Sequence, residues 1–139
     1  MRASLLSFTV VLLLLLAGCS SFSERYVAKR PDLDPKTREA ILQHRVILGM
    51  FPDEAIAATA GHRQPYAFTV MADPNRWPEG SDPQQVIWYE RMHPDNSKID
   101  INFWTRTQFD TTNLVGFKVV FTNGRAASIT RLPNWKDTQ

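Results

Sequence analysis

A single cysteine, Cys19, closes an apolar run from Leu5 to Leu16, and this pairing limits the fold in two ways. Arg2 precedes the run and the small residues Ala17 and Gly18 follow it. A charged start, an apolar middle and a small-residue end are the order of a secretory signal peptide. The run is well short of the roughly 20 residues that span a bilayer. Removing residues 1–18 from the 139 leaves 121, enough for one small domain. The lone cysteine also has no partner within the chain, so no disulfide can staple that domain. A hydrophobic core must hold it.

The residues Leu16-Ala17-Gly18-Cys19 resemble the lipobox of bacterial lipoproteins. The resemblance implies cleavage before Cys19, thioether-linked diacylglycerol on its sulfur and a third acyl chain on the new amine. One acyl chain anchors only marginally, whereas several hold a protein to a membrane. The covalent lipid on Cys19 is the only prosthetic group expected; no metal or other cofactor is. Ser20, rather than the aspartate that marks inner-membrane retention in enteric bacteria, follows Cys19. The expected location is the outer membrane, lipid-anchored and facing the periplasm.

Of 16 basic and 14 acidic residues, Arg2 leaves with the leader, so 15 stand against 14 in the remainder. That near-neutral balance argues against bulk nucleic-acid binding, which needs a basic face. Residues 19–33 then read as the lipidated cysteine and a polar tether. Fully extended, the stretch from Cys19 to Asp34 would reach about 50 Å. Its cations Arg25, Lys29 and Arg30 are either simply solvated or attracted to anionic headgroups.

The domain is expected over 34–135, with 136–139 as a tail. Asp34 can cap a helix and Pro35 suits its first turn. Ile41, Leu42, Val46 and Leu48 supply an apolar side, and Gly49 is a natural stop. Pro52-Asp53-Glu54 opens a second helix that ends at Gly61. Its side chains are small, so it can sit close to a neighbour. The two form an αα-hairpin. Residues Gln64 to Gln85 hold Pro74, Pro78 and Pro83 and read as a long loop with a short extended piece at Ala67 to Val70.

Strands follow. Gln85 to Met92 carries Val-Ile-Trp-Tyr, rich in strand formers. Ile99, Ile101 and Phe103 alternate with polar or mixed neighbours, as do Val115, Phe117, Val119 and Phe121, and then Ala127 and Ile129. At Asn123-Gly124 a two-residue turn would pair Lys118 with Ile129. A three-residue loop would pair Phe117 with Ile129 and Val119 with Ala127, gathering apolar residues on one face, and is the expected register. The expected fold class is α+β: two short N-terminal helices packed on a three- to four-stranded antiparallel sheet.

The lipobox, Gly49-Met50, the short helix to Gly61, Trp88-Tyr89 and Phe121-Thr-Asn-Gly-Arg125 together resemble the SmpA/OmlA/BamE family of small outer-membrane lipoproteins. Arg30-Pro31-Asp32-Leu33 resembles the Arg-Pro-Asp stretch that follows the lipidated cysteine in the family's best-known member. The resemblance implies an ααβββ fold and a non-enzymatic role in outer-membrane β-barrel assembly. The partners it implies are the assembly machinery or other envelope proteins, with Arg30 and Asp32 as contacts. Three departures stand out. Asp34-Pro35-Lys36 replaces the Gln-Gly-Asn stretch, Gly49 to Gly61 is one residue longer, and the Gln64–Gln85 loop is much longer.

The chemistry-bearing residues do not converge in sequence. His44, His62 and His93 are widely spaced and show no metal-ligand interval. Asp53-Glu54 suits the positive end of a helix rather than acid–base work. Asp73, Asn75, Glu79 and Asp82 lack calcium-loop spacing. The chain reads as a non-enzyme. Trp77, Trp88, Trp104 and Trp135 are many for its size; Trp88 could join the core, and Trp104 falls on the face opposite Ile101 and Phe103. On a strand, Tyr89 and Arg91 would point to one side as a partner contact. The expected partner-binding residues are thus Arg30, Asp32, Tyr89, Arg91 and Trp104. The rival function is a ligand-binding or inhibitory envelope module that uses the 64–85 loop.

Overall fold

The computed structural model describes residues 20–61, 66–93, 98–107 and 110–131. The leader, Cys19, His62 and Trp135 lie outside the described residues. The class is α+β, as expected: four helices and a four-stranded antiparallel sheet in the order β1-β2-β3-β4. The helices are α1 (Phe22–Ala28), α2 (Pro35–Leu42), α3 (Pro52–Ala60) and α4 (Pro83–Met92); the strands are β1 (Ala67–Ala72), β2 (Lys98–Thr107), β3 (Asp110–Thr122) and β4 (Arg125–Arg131).

The alternation read in β2 and β3 sets the sheet's inner face. Ile99, Ile101 and Phe103 pair with Phe121, Val119 and Phe117 across the ladder. All but the half-buried Phe117 lie almost wholly out of solvent. Phe103 stacks on Phe117 with ring centroids 5.1 Å apart. Val27, Leu33, Ala40, Ile41, Met50, Ala55, Ala57, Ala58, Val86, Ile87 and Ala126 complete the core. Gly116 lies opposite Trp104, where a Cβ would stand 2.3 Å from the Phe103 carbonyl oxygen. Only glycine lets these two strands approach so closely.

The first correction concerns the tether. Residues 22–28 are helical, and Ser21 starts the helix with a capping box: its hydroxyl accepts from Glu24 N while the Glu24 carboxylate accepts from Ser21 N at 2.7 Å. Ser23 is fully buried and donates to the Ala57 carbonyl at 2.6 Å. A Cβ on Gly61 would fall 2.0 Å from Ser23 Oγ. The small residues of α3 therefore seat α1, and the folded body begins well before Asp34.

The second correction shortens α2. It starts as expected, with the Asp34 carboxylate accepting from Thr37 N and Pro35 in the first turn, but ends at Leu42 rather than running through Val46 and Leu48. His44 takes a left-handed φ of 57°, with His44 N donating to Ile41 O and Arg45 N to Ala40 O. That is a Schellman ending with histidine where glycine is usual.

The third correction concerns 64–92. Ala67–Ala72 is a full strand at the sheet edge, paired with β2, so the extended piece is longer than expected and the loop is divided. Gln85 to Met92, expected as a strand, lies in α4, which starts inside the expected loop with the Asp82 carboxylate accepting from Gln84 N at 2.9 Å and Pro83 in the first turn. The helix buries Val86, Ile87 and Glu90, which share one helical face, and leaves Trp88 62% exposed. Trp88 is not a core residue.

The fourth correction is the hairpin register. Asn123 and Gly124 both have positive φ, 51° and 75°, as a two-residue type I′ turn requires. Thr122 pairs with Arg125 and Phe121 with Ala126, but then Val120 pairs with Ser128 and Val119 with Ile129. Ala127 is the extra residue of a β-bulge. The bulge puts the buried Ala126 opposite Phe121 and Ile129 opposite Val119, whereas Ala127, expected on the apolar face opposite Val119, is exposed. It lies just past Ala126, whose N–H and C=O bond the Met50 carbonyl and the Gly49 amide. The α2–α3 connection thus covers part of the exposed edge of β4.

Candidate interaction site

Three segments meet at one carboxylate, that of Asp53 in the first turn of α3. Tyr26 from α1 donates its hydroxyl to Asp53 Oδ2 at 2.5 Å. Arg30, just past the end of α1, reaches the same oxygen at 3.5 Å and donates to the Tyr26 hydroxyl at 3.1 Å. Arg91, in the last turn of α4, pairs with Asp53 Oδ1. Arg30 also pairs through Nε with Asp32 Oδ1 at 3.2 Å, while Arg38 donates to the Arg30 carbonyl at 3.2 Å and fixes the turn. Asp53 accepts this convergence because it sits at a helix start, where exposed amides favour a negative charge.

Beside the junction, Phe51 lies between two guanidinium groups. Arg91 stands 4.5 Å and Arg125 4.1 Å from its ring centroid, and Arg125 also donates to the Gly49 carbonyl at 2.9 Å. Arginine over an aromatic face and arginine paired with carboxylate are arrangements common at protein interfaces. On the other side opens a groove of about 490 Å³, with Ile56, Phe68 and Ile87 among its apolar lining. Phe22, Trp88 and Met92, at 48%, 62% and 59% exposure, also line it.

The electrostatics follow the contacts. Burial, then the hydrogen bond to Asp53, pushes the Tyr26 phenol far above its usual range, so it remains a fixed donor. The hydrogen bond from Arg30 holds the exposed Asp32 carboxyl below its ordinary value. Burial raises Glu54, whose carboxylate accepts from Phe51 N at 2.9 Å, and that hydrogen bond partly opposes the rise. These contacts organise the surface around Asp53.

Three of the five expected contact residues, Arg30, Asp32 and Arg91, belong to this junction. Tyr89 does not: on a helix it points away from Arg91 and packs against Trp77, with centroids 5.4 Å apart, and against His93 at 4.3 Å. Trp104 lies in β2 opposite Ala67 and Gly116, apart from the junction. Sequence inspection missed Tyr26, Phe51, Asp53, Arg125 and the rim residues Phe22 and Met92. The pattern Ser21-Phe-Ser-Glu24 was the available signal, since it is a capping box and places Phe22, Tyr26 and Arg30 or Lys29 at helical intervals.

The former loop is locally organised as well. Trp77 Nε1 donates to the buried Glu90 at 2.9 Å, and Arg76 pairs with the same oxygen at 3.5 Å. Asp73 accepts from Asn75 N and Asp82 caps α4, so two of the four residues considered for calcium serve a turn and a helix start. Among the described residues no group of three or more His, Cys, Asp or Glu stands close enough to hold a metal ion, and no helix is long and apolar enough to cross a membrane. Comparison with family models, with curated proteins and with solved structures returns no match.

Proposed function

We propose that this chain is a lipid-anchored outer-membrane lipoprotein, facing the periplasm, that acts as a non-catalytic protein-interaction module in β-barrel assembly or envelope integrity. The lipobox residues Leu16 to Cys19 and the resemblance to SmpA/OmlA/BamE proteins motivate the anchor and the setting. The observation that carries the interaction role is the Asp53 junction, where Arg30 and Arg91 are held at 26% and 24% side-chain exposure beside the 69% exposed Asp32. Partly buried, prearranged arginines beside an aromatic ring resemble interaction hot spots, because little side-chain entropy remains to be lost on binding.

A photocrosslinking residue at Asp32 tests this in intact cells. Recovery of the barrel-assembly machinery supports the proposal, and Arg91→Ala should weaken capture while the purified domain stays folded. Capture of only unrelated proteins would end the barrel-assembly assignment; undiminished capture by Arg91→Ala would remove the junction from the contact. A ligand-binding role has its own support in a recess of about 640 Å³ between β1, the 73–81 turns and the start of α4. That alternative predicts that Met71→Glu, at its mouth, abolishes function with Asp32 crosslinks intact.

A further inference from the structure

The absence of a tether has a steric consequence at the anchored end of the chain. α1 is capped by Ser21 and locked to α3 through the buried Ser23, so Ser20 alone separates Cys19 from the folded body. Three residues span at most about 10 Å, so Phe22 lies within about 10 Å of the Cys19 backbone. Phe22 is exposed, and it shares the groove with Trp88 and Met92, one helical turn apart on α4 and exposed as well. On α1 the exposed Arg25 and Lys29 lie at helical intervals from Phe22, so cations flank the apolar rim.

From this we infer that Phe22, Trp88 and Met92 form a membrane-docking rim that seats in the interfacial layer of the bilayer holding the acyl chains of Cys19. The inference rests on the proposed acylation of Cys19. Acyl chains confine the sulfur to the boundary between headgroups and hydrocarbon, and interfacial segments bury their apolar face about 5–10 Å into that layer. A residue tied within about 10 Å of the backbone that carries that sulfur meets the same layer. Tryptophan favours this depth because its ring is apolar and its N–H can stay hydrated. Arg25 and Lys29 complement headgroup phosphates at the same level. The rim has two roots, α1 and α4, so the domain would be held in one orientation, with the Asp53 junction close to the membrane plane.

The test uses the mature acylated protein in vesicles of phosphatidylethanolamine and phosphatidylglycerol. Because acylation consumes the native thiol, a cysteine introduced by Trp88→Cys, Met92→Cys or Lys118→Cys is the only one to label with an environment-sensitive fluorophore. Lys118 lies on the outward face of the sheet and serves as the reference. Lipids carrying a nitroxide near the headgroup should quench the labels at 88 and 92 several-fold more than the label at 118. Equal quenching at all three positions in acylated protein overturns the rim. So does oxidation of the unlabelled Trp88→Cys protein to a disulfide-linked pair together with no lipid quenching of the labelled form, which would make the rim a self-association surface. Intact mass reads acylation separately: a chain retaining residues 1–18, or lacking the acyl mass, refutes the anchor itself and removes the premise of the rim. Melting profiles matching wild type exclude unfolding as the cause of either result.

Discussion

Asp53 is the residue on which the most distant parts of the helical layer depend. It accepts from Tyr26 and pairs with two arginines, all three half-buried. Asp53→Ala leaves those donors facing one another without their acceptor and should cost about 1–3 kcal/mol in urea denaturation, because unsatisfied part-buried donors lose their hydration without return. Two carboxyls near it respond to pH in opposite senses. Glu54 is raised above its ordinary value of 4.5, chiefly by burial, so the native state holds its proton to higher pH than the unfolded chain. Its contribution is fully present below 4.5 and is lost as pH rises through the raised folded value. Stability measured from acid upward should carry this decline, and Glu54→Gln, which keeps an oxygen for Phe51 N, should remove it. Asp32 is lowered by Arg30, so its contribution is present above its ordinary value and disappears only as pH falls through the lowered one.

Element boundaries show which local signals survive packing. Asp34-Pro35 and Asp82-Pro83 are the same signal, an N-cap aspartate followed by proline at N1, and both open helices. The first was legible in advance. At the second, the β preference of Val86, Ile87, Trp88 and Tyr89 competes with the cap, but that preference measures fit to a half-buried sheet and is not an intrinsic command. Asp82→Ala should therefore cost about 1 kcal/mol and fray α4, seen as loss of amide-exchange protection over 84–88. Trp77 should respond with it, because its anchor, Glu90, lies in the same helix. The α1–α3 seam makes a harder demand. Gly61→Ala drives a methyl into Ser23 and should destabilise by about 1–3 kcal/mol, and a shift of α1 should be visible as weakened protection of its last turn. An unchanged midpoint would mean that α1 is not seated where Ser23 meets Ala57.

Across the whole molecule, the sheet forms the back and the helical layer carries the Asp53 junction. The inner face of β2 and β3 could be read directly from alternating residues, because the side chains of a strand alternate faces with a period of two and one face was plainly apolar. The α+β class and the start and end of α3 follow with equal directness from Pro52, Gly61 and this alternation. The register of β4 and the identity of α4 did not, and neither did the junction. A type I′ turn and a bulge at Ala127 turn Ala126 inward in place of Ala127, and Ala126 bonds there to Gly49 and Met50, far away in the chain. Likewise Arg30 and Arg91 meet at Asp53 only because α1 and α4 both pack beside α3. Local patterns specify caps and faces, since neighbouring residues alone create them. Which distant side chains share a carboxylate depends on how the faces are buried together, and that information is spread over the entire core.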